Sequence, residues 1–317
     1  MNICVVGTGA IGGWVAGRLA IAGENVNALA RGDTLRLIRA EGLRIEEAGE
    51  EFVASINAGD ESQSVGEQDV VIIAVKAPAL PSLASELRPL IGAQTMIVPM
   101  LNGVPWWFLG GEPLQSIDPD GSIAASLPAN QVIGCVVHAS CFRSAPNRVH
   151  VKHADKIIIG EPDGQSSERL ARLFVLFDQA GLRPDQTGNV RRATWYKLWG
   201  NATINPLSAL TRASCDLILA DPECRKWMLE GMAELAAIGA AIGCPISESG
   251  EDRMQVTARL GAFKTSMLQD VEAGRPLELE ALVGAPREIG RRMAIPTPAL
   301  DRLYGVTKLM AESLGLS

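Results

Sequence analysis

Nowhere in the chain do apolar residues run together for the roughly 18 positions that a bilayer-crossing helix needs, so nothing reads as a membrane span. Histidine occurs three times. His138, His150 and His153 are too few and too badly spaced for a metal centre. The pair in "HVKH" fits a surface strand or loop better than a ligand set, so no metal is expected. The six cysteines (Cys4, Cys135, Cys141, Cys215, Cys224 and Cys244) include no C-x-x-C pair. The opening "MNICVVGTGAIGG" lacks a basic stretch and is broken by glycines, so it does not read as an export signal. The cysteines are therefore expected to be reduced thiols in the cytoplasm. Basic blocks are missing too, and the net charge is -7, which disfavours nucleic acid and anionic membranes as partners. Lysine is scarce, with seven against 22 arginines. A lysine in an apolar setting is therefore worth explaining.

What remains is an ordinary globular composition, 47% hydrophobic and 21% charged over 317 residues, enough for two domains or one large one. "NICVVG" is a short apolar run, and "AIGGWVAGRLAIAG" has helical periodicity. "NVNALAR" reads as the next strand and "DTLRLIRAEG" as a helix with Asp33 as N-cap and Gly42 as stop. "LRIEE" and "EFVAS" form a strand pair or hairpin. "DVVIIAVK" is an apolar strand, "ALPSLASELRPLI" a helix and "TMIVPML" another strand. Alternating strands and helices predict a parallel sheet with helices on both faces. Between about Gly110 and Gly160, β-type runs such as "VIGCVVHASCF" and "KIIIG" predict further strands that extend this sheet, partly antiparallel. Beyond Gly188 the pattern is helical, over 191–211, 222–243, 249–270, 276–293 and 298–315. The fold class is α/β, with an N-terminal dinucleotide-binding domain (1–187) followed by an all-α C-terminal domain (188–317).

The first domain owes that description to "GTGAIG". Gly7, Gly9 and Gly12 make a G-x-G-x-x-G turn that follows a strand and opens a helix, with Ala10 and Ile11 inside it. The first glycine permits the turn, the second lets a pyrophosphate approach the backbone, and the third lets helix and strand pack closely. This is the Rossmann-type pattern. An NAD site usually carries an acid at the end of the second strand. Here Arg31 stands there, and a guanidinium suits the 2′-phosphate of NADPH. Asp33 could take the ribose of NAD instead, but helix capping is its better reading.

Ligands of such sheets bind beyond the carboxyl ends of the strands. Lys76 ends one strand and Asn102-Gly103 another. Lys76 could meet cofactor or substrate, or simply be a solvated helix-start lysine. Asn102 could hold nicotinamide or substrate, or serve only the "NG" turn. "KLWGNATINPL" poses a sharper question. Lys197, Asn201 and Asn205 recur every four residues, which stacks them on one face of a helix that looks buried. Reduction of a ketone needs hydride at carbon and a proton at oxygen. A desolvated lysine supplies the proton and stabilises the developing charge. Two amides can bind substrate without adding charge. The plainer alternative is a snorkelling lysine with two internally bonded amides. Later, "FKTSMLQDVEAGRPLELEALVGA" sets Ser266 and Glu278 in apolar surroundings. Pro276 would start a helix with Glu278 and Glu280 as first-turn acids, unless Glu278 orients substrate or lysine.

Taken in order, "GTGAIGG", "AVKA", "LNG", "WYKLWGNATINPLSAL", "SMLQDVEAGRPLELEALVG" and "GRRMAIPTPALDRLYGVTKL" give the chain a resemblance to the ketopantoate reductase (2-dehydropantoate 2-reductase) family along nearly its whole length. The resemblance implies NADPH-dependent reduction of a 2-oxo acid to a 2-hydroxy acid, ketopantoate to pantoate, a step toward coenzyme A. It implies Lys197 as proton donor, Glu278 as the acid that grips substrate, and Asn102, Asn201, Asn205 and Ser266 as substrate-binding. It implies Arg31 as reader of the cofactor phosphate and Lys76 as the strand-end lysine beside cofactor and substrate. It also implies a homodimer formed through the helical domain. Departures lie near the substrate end: "LELE" at Leu277–Glu280 replaces the usual "TEID", and Phe263 and Cys215 stand where well-known members carry asparagines. These leave open a related dehydrogenase acting on another 2-oxo, 3-hydroxy or opine-type acid. A non-catalytic NADPH sensor is the reading from a different class.

Overall fold

The computed structural model describes residues 1–110, 113–259 and 261–316. Leu260, one position of the helix expected over 249–270, lies outside them, as do Gly111 and Glu112 in the 110–160 stretch. The chain divides into two compact units. One takes residues 1–101, 106–110 and 121–190; the other takes 102–105, 113–120 and 191–316.

In the first unit, β1 (Asn2–Val6), β2 (Asn25–Leu29), β5 (Asn57–Gly59), β6 (Val70–Ile73) and β7 (Met96–Pro99) form a parallel sheet in the order β5-β2-β1-β6-β7. β6 and β7 are buried at every position, as strands covered on both faces must be. A second sheet, β10-β9-β3-β4, joins β3 (Leu43–Glu47), β4 (Glu50–Ala54), β9 (Arg148–Gly160) and β10 (Pro184–Gln186), with β8 (Gly134–Ala145) pairing β9 as a long hairpin. The strands of 134–160 therefore do not extend the first sheet, as the sequence suggested, but build another around the β3–β4 hairpin. The reason lies in α1 (Ala10–Ile21). A Cβ at Gly13 would fall 2.8 Å from Val149 Cγ2, and one at Gly17 would strike Ile45. A face this bare lets β3 and β9 press against α1, and Trp14, Val15 and Leu19 complete the shared core.

Three smaller expectations change. α2 (Gly32–Glu41) has Arg31, not Asp33, at its N-cap; Asp33 lies in the first turn, paired with Arg36 at 3.0 Å. The helix expected in "ALPSLASELRPLI" is instead a 3-10 turn (Ala77–Ala79), one α-turn (Leu80–Leu83) and more 3-10 helix (Ala84–Leu90). Pro89 removes an amide that a regular helix would need, whereas Pro78 and Pro81 sit in first-turn positions, where proline suits a new start. The helix expected to start at Pro276 begins only after Glu278, as a π-helical turn, Glu280–Gly284.

The second unit is helical. We name its main helices α3 (Val190–Thr211), α4 (Pro222–Ala241), α5 (Gly250–Ala258), α6 (Ser266–Glu272), α7 (Ala285–Arg292) and α8 (Pro298–Ser313). The expected 249–270 helix is thus split into α5 and α6. Trp195 and Trp199, one turn apart on α3, are fully buried and donate their indole N–H groups to Leu235 O (3.0 Å) and Met232 O (2.8 Å) of α4. Each ring thus buries its area without leaving its one donor unpaired. That seam fixes the rotation of α3. Lys197 lies about half a turn from both tryptophans, at 100° per residue, so it points away from α4. Glu234 of α4 accepts from Ala299 N and Leu300 N, tying down the start of α8. Glu288 of α7 holds 113–120 by accepting from Gln115 N, Ser116 N and Ser116 Oγ.

Candidate active site

The glycine turn of the first unit has the geometry its spacing implies. Gly7 sits at φ +90°, where L side chains are strained, and a Cβ would also lie 2.7 Å from Val75 Cγ1. Gly9 is the N-cap of α1, and a Cβ there would meet nothing within 4 Å. A Cβ at Gly12 would collide with the carbonyl of Gly7 and come within 2.9 Å of Ala74 Cβ. So Gly7 makes the turn, Gly12 lets α1 lie on the strands, and Gly9 leaves open space beside the unpaired amides that begin at Ala10 and Ile11. The first turn of α1 carries no acid. An anion at a helix N-terminus meets amide hydrogens and a favourable dipole, and these residues fit a dinucleotide pyrophosphate.

Two further groups lie past the carboxyl ends of this sheet. Arg31 follows β2 and is 64% exposed along its side chain; its Nη2 meets Glu86 Oε2 at 2.5 Å. Lys76 lies just after β6, ahead of the 3-10 turn.

Chemistry of a different kind gathers in the second unit. Lys197 Nζ donates to Asn102 Oδ1 at 3.0 Å, and Asn102 Nδ2 donates to Glu278 Oε2 at 3.3 Å. Glu278 is only 4% exposed. A single amide thus links an ammonium to a buried carboxylate, using its oxygen for one and its nitrogen for the other. The backbone supports this contact. Val104 N donates to Ala281 O at 2.9 Å, and Gly103, at φ +84°, packs its Cα directly on Ala281. The turn 102–104 is therefore fastened to the π-helical turn that follows Glu278.

Asn201 and Asn205 extend the Lys197 face along α3, Asn205 at 4% exposure. Among the described residues neither amide makes a side-chain hydrogen bond. Neither residue contributes to the buried side-chain polar atoms left without a hydrogen-bond partner, so both amides can bond solvent or a ligand. Ser266 opens α6, one residue after its N-cap Thr265, and has no hydrogen bond to the Lys197 group among the described residues. The two departures from the family pattern meet each other: Cys215 N donates to Phe263 O at 2.9 Å. Burial pushes the thiols of Cys4 and Cys141 up to about 12 and that of Cys215 to about 11, so these are not nucleophiles near neutral pH. No group of three or more metal-ligating side chains occurs among the described residues.

Of the residues singled out from the sequence, Lys197, Asn102 and Glu278 are joined by hydrogen bonds, and Asn201 and Asn205 share their helix. Gly7, Gly9, Ala10, Ile11, Gly12, Arg31 and Lys76 belong to the other unit. Sequence reasoning missed the Glu86 partner of Arg31, which no motif marks. It also missed the docking of Gly103 on Ala281, of which the "NG" pair was the one available sign.

Comparison with known proteins agrees with this architecture. The family model described as "Ketopantoate reductase PanE/ApbA" matches residues 3–164, and "Ketopantoate reductase PanE/ApbA C terminal" matches 189–311. A 2-dehydropantoate 2-reductase of Mesorhizobium japonicum is 38% identical over 323 aligned residues, covering 99% of each chain. A solved structure from Ralstonia solanacearum, assigned to the ketopantoate reductases, is 49% identical with TM-score 0.96, over 100% of this chain and 99% of that one. The 2-dehydropantoate 2-reductase of Methylococcus capsulatus is 29% identical with TM-score 0.86, over 100% and 99%. With both family models matched in order and a relative similar from end to end, the chain belongs to the ketopantoate reductase family of oxidoreductases.

Proposed function

We propose that this chain reduces 2-dehydropantoate to pantoate with NADPH. The contact of Lys197, Asn102 and Glu278 carries the reading, because it sets a proton donor among groups able to hold a hydroxylated 2-oxo acid. The Gly7–Gly12 turn would hold the cofactor, which would supply the hydride for the carbonyl carbon. As the C=O π bond breaks, Lys197 gives a proton to the oxygen and then regains one from water. Asn102 orients the ammonium through its oxygen. Glu278 holds the Asn102 amide and presents an acceptor for a substrate hydroxyl. Asn201, Asn205 and Ser266 offer further polar contacts without net charge. Lys76 faces cofactor or substrate from the end of its strand, and Asn102 contacts either. We also assign the chain to the cytoplasm and to a homodimer, for which the exposed apolar pair Val306 and Leu309 on α8 is the support.

The test is oxidation of NADPH by purified protein, followed by absorbance, with 2-dehydropantoate beside a panel of other 2-oxo acids and with NADH in parallel. Fast turnover selective for 2-dehydropantoate is expected. Turnover confined to another 2-oxo acid would keep the mechanism and move the substrate. Tight NADPH binding with no turnover on any would remove the reading.

NADPH preference rests on Arg31. Arg31→Ala is expected to weaken NADPH binding by about 10- to 100-fold, the scale of a charged hydrogen bond, and NADH far less. Equal weakening would remove the 2′-phosphate role. Glu86 competes for the same guanidinium. Because the pair is exposed, Glu86→Gln is expected to tighten NADPH by no more than about fivefold and to leave NADH unchanged. Fluorescence titration of the bound nicotinamide measures both.

A further inference from the structure

Glycine weakens a helix interior, yet Gly200 lies near the middle of the 22-residue α3, between Lys197 and Asn201. What it admits is a guanidinium. A Cβ on Gly200 would fall 2.6 Å from Arg253 Nη2 and 2.9 Å from Arg253 Cζ. Arg253 comes from α5 and lies with Cζ 5.6 Å from the centre of the Tyr196 ring. Its Nη1 donates to Thr257 Oγ1 at 3.1 Å, and its Nε–H is buried with no hydrogen-bond partner.

No carboxylate pairs with this cation among the described residues, although acids surround it in sequence. Glu251 pairs with Arg225, Asp252 accepts from Ser249 Oγ, and Glu248 accepts from the Tyr196 hydroxyl. A half-buried arginine is ordinarily matched by an acid. The rotation of α3 says what this one is for. With Trp195 and Trp199 turned into α4, the positions of 193–204 that are not buried are Ala193, Tyr196, Lys197 and Asn201. At 100° per residue these span one sector, and Gly200 lies inside it. Gly200 is buried because Arg253 covers it. The guanidinium therefore lies on the same open sector that presents Lys197 and Asn201.

We propose that Arg253 recognises the carboxylate of the 2-oxo acid, making it a specificity-determining residue that Gly200 seats. This rests on the reduction assigned above. The planar fork of arginine matches a carboxylate with two parallel N–H bonds. It would also give the site its preference for an acid, which neutral amides such as Asn201 and Asn205 do not.

The test compares the 2-oxo acid with its uncharged lactone, in wild type and in Arg253→Met and Arg253→Lys. Arg253→Met is expected to raise KM for the acid on the order of 10²-fold, with kcat changed only a few-fold. The lactone's kcat/KM and the affinity for NADPH should not move. Arg253→Lys should recover part of the loss, since charge returns without the fork. Calorimetric titration of pantoate into the NADP+-loaded protein should show binding in wild type and its loss in Arg253→Met. Equal losses on acid and lactone would reduce Arg253 to a packing role, and an unchanged KM for the acid would overturn the proposal outright. Wild-type protein that binds pantoate but reduces no 2-oxo acid would sink the assigned reaction while leaving carboxylate recognition standing. Wild-type protein that binds no pantoate would overturn the proposal.

Discussion

Lys197→Ala should lower kcat by about 10²-fold or more, the scale of losing a positioned general acid, while NADPH affinity stays within about twofold of wild type, with no change expected in the glycine turn. Two features single out this lysine. Its Nζ already bonds an acceptor, Asn102 Oδ1, and it stands on the open side of a helix whose other side is locked by two tryptophans. Arginine in its place should not restore the rate, because a guanidinium keeps its proton under all working conditions. Single-turnover reduction with NADPH prebound separates chemistry from binding. A Lys197→Ala rate within threefold of wild type would take the proton-transfer role away from Lys197 and leave the residue as part of the packing around Asn102.

Much of this site is legible in the sequence because it rests on local geometry. A four-residue spacing on a helix puts Lys197, Asn201 and Asn205 on one face whatever surrounds them. The glycine turn is read from three positions within six residues; Gly7 and Gly12 then each have a steric reason, while Gly9 borders open space. The parts that were not legible depend on partners far along the chain. The second sheet needs β3 to pair with β9, about a hundred residues later, and nothing in "RVHVK" names that partner. The break between α5 and α6 hides inside a stretch of suitable helical periodicity. Glu278 shows the limit most clearly. Pro276 and two acids argue for a helix start, yet the helix waits until after Glu278 and then widens into a π-turn. That choice is made by the 102–104 turn docking from 176 residues away in sequence, counted between Asn102 and Glu278. Gly200 stands in mid-helix, where glycine is least favoured, but the arginine it seats comes from a different helix, which no local spacing names.

The docking turn gives the second large effect, and with it a way to separate position from stability. Gly103→Ala should lower kcat by about 10- to 100-fold, although the side chain it adds never meets substrate. Alanine at φ +84° carries backbone strain of about 1–2 kcal/mol. At Gly103 the added methyl must also displace the Ala281 carbonyl, to which Val104 N donates. The turn has to lift, and Asn102 moves with it, out of line with both Lys197 and Glu278. Misplacement of about 1 Å at a reacting group is worth roughly 10² in rate. Gly243, at the end of α4, is the control. It too has positive φ, +76°, but a Cβ there would meet nothing within 4 Å. Gly243→Ala should therefore lose a similar increment of stability, read as a shift in Tm, and keep its kcat. Similar losses of kcat in both variants would mean that strain alone slows the enzyme. A loss confined to Gly103→Ala, with NADPH affinity intact, would place the precision of the Lys197 site in a backbone contact between an Asn-Gly turn and a widened helix, π-helical turns being frequent where proteins set functional groups.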